Sequence, residues 1–118
     1  MECDYEAVYQ ILKDVIQRQD VVSYRELTDG FRLQTGKRIH WRNWAPVLDV
    51  LGDWSRRVGL PCIAAVVINR QLGRPGDRFF GRADPRKAAA REKWRKLLER
   101  VYDADWPDTM AASPQAGK

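Results

Sequence analysis

A chain of 118 residues suits one domain, and a hydrophobic fraction of 44% with five Trp excludes wholesale disorder. A charged fraction of 31% and no apolar run longer than the strand-sized 62–68 exclude a membrane span. Two cysteines, Cys3 and Cys62, and one histidine, His40, make neither a disulfide framework nor a four-ligand zinc site, so no metal and no cofactor is expected and a reducing cytoplasm is the default location.

From the N-terminus, Tyr5, Val8, Ile11, Leu12, Val15 and Ile16 recur at helical spacing and predict a helix with one buried face. Met1-Glu2-Cys3-Asp4 leads directly into it, so no signal peptide is expected. Val21 and Val22 read as a short extended segment. Ser23-Tyr24-Arg25-Glu26 fits a capping box, which starts a second helix near Tyr24 and buries Leu27 and Phe31. That helix ends near Gly30 or runs on to Gln34, and a basic loop follows at Lys37-Arg38-Ile39-His40. Asn43 is a good N-cap, and Trp44, Val47, Leu48, Leu51, Trp54 and Val58 keep helical spacing up to Gly59, a suitable C-terminal cap. The β-branched apolar run 63–68 predicts a buried strand. Turn chemistry at 73–77 and a returning strand at 78–81 would complete a hairpin. Asp84-Pro85 opens a last helix over 85–102 with Ala90, Trp94, Leu97, Leu98, Val101 and Tyr102 on one face. Residues 103–118 read as a frayed tail after a single domain at 1–102.

This order predicts an α+β fold of winged helix-turn-helix type, with about four helices and a small β-hairpin wing. Charge is uneven along it. Residues 1–24 and 101–118 are net acidic, while 25–100 hold eighteen basic and eight acidic side chains, and fifteen of the 21 basic residues are Arg. Arg makes bidentate contacts to phosphate and guanine, which points to DNA, duplex before single strand. The candidate nucleic-acid-binding residues are Lys37, Arg38, His40, Trp41, Arg42 and Asn43 at the opening of the third helix, and Arg70, Arg74, Arg78 and Arg82 on the wing. Arg42 and Asn43 carry donors suited to guanine and adenine edges, and Trp41 can stack on a base or pack in the core. Phe79-Phe80 at the wing could wedge between base steps. The basic residues 86–96 of the last helix read as a solvated face.

The string Val22-Ser23-Tyr24-Arg25-Glu26-Leu27, then a helix, then Pro61-Cys62 entering an apolar strand, a Gly-rich hairpin and a basic helix, resembles the C-terminal DNA-binding domain of alkylguanine-DNA alkyltransferases and alkyltransferase-like proteins. The likeness covers about residues 5–102 and is one of order and spacing. It implies that Tyr24 contacts the DNA backbone beside a flipped nucleotide. It also sets Cys62 at the place of the acceptor cysteine, and Ala45 near the place of the Arg that fills the vacated base stack. The His and Arg that follow the family's cysteine are here Ile63 and Ala64. The resemblance therefore implies a DNA-binding scaffold that senses a modified or distorted nucleotide without alkyl transfer.

Two other readings stand beside this one. A protein-interaction module, such as a phage or mobile-element inhibitor covering a partner's surface, would show an exposed apolar patch. A cysteine-dependent alkyl acceptor would need thiolate character at Cys62, whose sequence neighbours supply no base or cation. No acid pair, phosphate loop or nucleophile elbow offers enzyme chemistry.

Overall fold

The computed structural model describes residues 3–40 and 43–111. It is an α+β fold: α1 (Tyr5–Gln17), β1 (Val22–Ser23), α2 (Tyr24–Thr35), α3 (Trp44–Arg57), a 3-10 turn (Ile63–Val66), β2 (Val67–Ile68), the one-turn α4 (Asp77–Phe80) and α5 (Ala88–Asp103). The two short strands pair in parallel, Val22 with Val67 and Ser23 with Ile68.

Helix α1 buries Val8, Leu12, Val15 and Ile16 of the predicted stripe, with Tyr5 and Ile11 half-buried, and it also buries Tyr9, which the spacing did not include. The capping box forms as expected. Ser23 Oγ accepts from the Glu26 amide at 3.1 Å, and Glu26 Oε1 accepts from the Ser23 amide at 3.1 Å. Helix α2 runs past Gly30 and Gln34 to Thr35, and Gly36 closes it in the left-handed region at φ 72°. At the end of α3, the amide of Gly59 (φ 82°) donates to Arg56 O and that of Leu60 to Ser55 O. This double return is a Schellman motif, which favours a residue without a Cβ at the left-handed position.

Three expectations fail here. The apolar run 63–68 is not a strand over most of its length. Its first part coils into the 3-10 turn because its backbone finds partners on helices. The Ile63 amide donates to Ser55 Oγ at 3.3 Å, and Trp94 Nε1 donates to Ala65 O at 2.9 Å. With those groups satisfied, no neighbouring strand is required. Ile63, Ala65 and Val66 are fully buried, and the turn is packed by α1, α3 and α5.

The expected hairpin wing is reduced to one antiparallel bridge, Asn69 with Arg74. Asn69 Oδ1 holds the turn by accepting from the amides of Gln71 and Leu72, and Arg74 is followed by Pro75, whose ring fixes φ. The chain then coils into α4, so Phe79 and Phe80 lie on a helical turn and not on a returning strand.

Finally, α5 starts at Ala88 and not Pro85. Asp84 Oδ1 accepts from the Arg86 amide at 3.0 Å, closing a turn ahead of the helix, and Lys87 takes the N-cap position.

The segment after α5, expected to fray, lies against the core as far as residue 111. Trp106 is buried and donates from Nε1 to Val101 O at 2.8 Å. Tyr9 Oη donates to Pro107 O, Trp54 Nε1 to Met110 O at 3.2 Å, and the Met110 amide to Glu6 Oε1 at 2.9 Å. The remaining tail positions, 112–118, fall outside the described residues.

Candidate functional site

Helices α2 and α3 are locked together by Trp44, the first residue of α3. Its indole is fully buried, meets Phe31 edge to face at 6.0 Å, and donates to Thr28 Oγ1 at 2.8 Å. This contact sets the opening of α3 beside α2. Between them and the 75–79 segment lies a cavity of about 480 Å³, within the range of small-molecule and nucleotide sites. Tyr24, Ala45, Leu48, Cys62, Pro75 and Phe79 line it, with Asp49 and Arg56 on its α3 wall. The lining is mostly apolar and aromatic with a few polar groups.

Cys62 approaches α3 closely because Gly52 faces it. A Cβ at Gly52 would sit 3.2 Å from Cys62 Sγ. Burial pushes the Cys62 thiol above its ordinary value and the Asp53 carboxylate adds to that, while the Ala64 amide and the Arg56 guanidinium pull against it without prevailing. Arg56 is itself paired with Asp53 on the same helix. The cavity therefore holds a neutral thiol at physiological pH. In a Cys3→Ser background, iodoacetamide is expected to alkylate Cys62 more slowly than free cysteine at pH 7.5. The rate should rise along a pH curve displaced to higher pH. Mass spectrometry of quenched samples reads this directly, and a rate at or above that of free cysteine would contradict it.

The Tyr24 hydroxyl is also raised, first by burial, with the Gly76 amide partly offsetting it, so the phenol remains a hydrogen-bond donor at neutral pH. Next to it, Glu26 is held below its ordinary value, first by the Ser23 amide and hydroxyl and then by Arg70, with which it forms an ion pair.

The expected binding residues separate into groups. Tyr24 is in the cavity with Cys62. Arg70 is tied to the N-terminus of α2 through Glu26. Lys37, Arg38 and His40 are exposed beyond the other end of that twelve-residue helix, about 18 Å along its axis. Asn43 is exposed but does not cap α3 as expected. Its backbone is already helical (φ −93°, ψ −3°), which turns its side chain away from the free amides. Arg74 is largely covered. Its guanidinium donates to Pro75 O at 3.0 Å and Asp77 Oδ1 at 3.1 Å, and lies 5.6 Å over the Phe80 ring. Arg82 is exposed. Trp41 and Arg42 lie outside the described residues, and the structure describes only the backbone of Arg78.

Phe79 faces the cavity and stands edge to face with Phe80 at 5.5 Å. Of the large apolar side chains, Leu33, Val50 and Leu72 are exposed among the described residues, one each on α2, α3 and the 69–74 turn. None of these elements presents the row of apolar positions that a docking face would need. Among the described residues no cluster of His, Cys, Asp and Glu could hold a metal, and no helix is long and apolar enough to cross a membrane. No protein-family model, curated protein or solved structure matches the chain.

Proposed function

We propose that this chain is a DNA-binding protein that receives an extruded, modified nucleotide in the cavity between α2, α3 and the 75–79 segment, without cysteine chemistry. One observation carries the reading. Tyr24, Ala45 and Cys62 are far apart in sequence and were singled out by the resemblance to the alkyltransferase DNA-binding domain, and all three line one cavity. The helix pair α2–α3, joined by a basic loop and locked by Trp44, supports a helix-turn-helix reading in which α3 approaches the DNA and the shortened 69–74 turn stands where a wing would be. The neutral thiol supports binding without transfer. Small Ala45 leaves open the space at the mouth of the cavity, and the aromatic and apolar lining suits the face of a base.

The test is fluorescence anisotropy with a labelled duplex, with and without one alkylguanine. Submicromolar binding is expected, weakening several-fold between about 50 and 200 mM salt as phosphate contacts require, and tighter for the modified duplex. Ala45→Phe, a change at a half-buried position on the first turn of α3, is expected to abolish the preference for the modified duplex and to spare binding to the plain one. Absence of binding at low salt would overturn the proposal. Equal affinity of the unaltered protein for both duplexes would overturn the nucleotide-sensing part.

A further inference from the structure

A second concave site lies across the ridge formed by residues 74–75. Arg74, Arg86, Arg91 and Arg95 ring a groove of about 420 Å³, with Leu72 and Trp94 also in its lining. Three segments distant in sequence build it: the 69–74 turn, the turn at 84–86 and the first two turns of α5. We propose that this groove binds the phosphodiester backbone of nucleic acid, as a contact separate from the cavity; the inference rests on the DNA-binding reading above.

The four guanidiniums are not equivalent. Arg74 is fixed by Pro75 O, Asp77 and the Phe80 ring. Arg86 is gripped by Asp84 in a two-pronged pair, Nε to Oδ1 at 3.1 Å and NH2 to Oδ2 at 3.2 Å. Arg74, covered on most sides, is held in place before any ligand arrives, while the Arg86 pair lies in solvent. Arg95 reaches Glu92 only at 4.0 Å, and among the described residues no carboxylate pairs with Arg91. Arg91 and Arg95 are exposed, four residues apart, and so stack on one face of α5 about 5–6 Å apart at Cβ. One oriented cation and three exposed ones around one concavity suit a run of phosphates. Arg at all four positions provides the planar fork that bonds phosphate oxygens in pairs.

The charge around the groove suits a polyanion, and its place beside the cavity favours nucleic acid over an acidic peptide. The groove is built from residues 69–100, which hold eleven basic and four acidic side chains, an excess of seven against five for the whole chain. It also adjoins the cavity. Arg74 lines the groove while the next residue, Pro75, lines the cavity, and on α5 Trp94 and Leu97 divide the same way. A strand with one nucleotide in the cavity thus has phosphates within reach of the groove.

The test compares Arg91→Gln/Arg95→Gln with Lys93→Gln/Lys96→Gln, which removes the same charge from exposed positions of the same helix. Gln is a good helix former, so both variants should keep the fold, which circular dichroism checks. Affinity for a plain duplex is measured across salt. If two phosphates are contacted, the slope of log K against log salt should fall by about 1.8 in the arginine variant, and by clearly less in the lysine variant. Equal slopes for the two variants would overturn the groove. So would polyglutamate competing as well as duplex DNA. If the unaltered protein binds no duplex at low salt, the DNA-binding reading itself falls, and the groove proposal with it. If it binds, and Ala45→Phe removes the preference for the modified duplex while the arginine variant keeps its slope, only the groove falls.

Discussion

Replacing Trp106 by Ala is expected to destabilise the domain by about 3 kcal/mol, although the residue lies in a segment whose composition reads as a tail. The indole is buried, donates to Val101 O, and stands 6.5 Å from Trp54, which in turn meets Tyr9 edge to face at 5.1 Å. Its loss opens a cavity beside two aromatic rings and loosens the strap that covers them. The cost is set at the lower end of the usual range for a large aromatic because a strap held by a few hydrogen bonds and one buried ring can detach as a unit, which caps the loss. Truncation after Asp103 tests that cap. If the strap acts as one unit, truncation and Trp106→Ala should lower stability by amounts equal within about 0.5 kcal/mol. Urea denaturation gives both values, and the melting temperature should fall by roughly 10–15 °C.

The same strap carries a pH signature. Burial, helped by Glu6 and Asp108, holds the Tyr9 hydroxyl above its ordinary value of 10.0, and that hydroxyl donates to Pro107 O. A group raised on folding stabilises the fold fully below its unfolded pKa and loses that contribution as pH climbs toward the folded one. The strap's contribution should therefore hold below about pH 10 and fall above it. Tyr9→Phe should remove that part of the alkaline loss.

What the sequence made legible was local. The stripe of α1, the capping box at Ser23 and the stop at Gly59 are each written within a few residues, and each formed as read, save that Tyr9 is buried along with the α1 stripe. The misreadings arose where distant side chains completed a backbone. The run 63–68 has strand composition, but Ser55 and Trp94, 8 and 29 residues away from the groups they bond, provide what a strand neighbour would otherwise supply. Pro75 was visible as a turn residue, yet the helical turn that follows it in place of a returning strand was not. In the tail, polar composition hid the one signal that mattered, a Trp among small and acidic residues. The cavity was legible only as an order of motifs, Tyr24 before Pro61-Cys62, because three-dimensional proximity is not written in spacing. The arginine groove was missed because basic residues around a helix read as a solvated face. The signal was charge density, since 69–100 alone exceed the net charge of the whole chain.

Trp44→Ala is expected to cost about 3–5 kcal/mol in a domain whose total stability is expected to be about 5–15 kcal/mol. The side chain is the largest of those fully buried, and it is the first residue of α3, so it carries both core volume and the docking of one helix on another. Trp44→Phe separates the two contributions. It keeps most of the ring against Phe31 and loses only the indole bond to Thr28. The Thr28 hydroxyl is not orphaned by this, because it donates to Tyr24 O at 3.0 Å. A loss of about 1 kcal/mol for the hydrogen bond, plus a smaller volume term, is therefore expected, measured by the same urea titration. The pair also bears on the cavity. Ala45 follows Trp44 directly and lines the cavity with Tyr24, so the depth at which the indole seats sets the place of Ala45 in that wall. Well below its melting temperature, Trp44→Phe should retain the preference for a modified duplex, because the helix still docks. On the proposed reading, Trp44→Ala should lose that preference before it loses affinity for plain DNA, because phosphate contacts from exposed arginines would not depend on how α3 seats on α2.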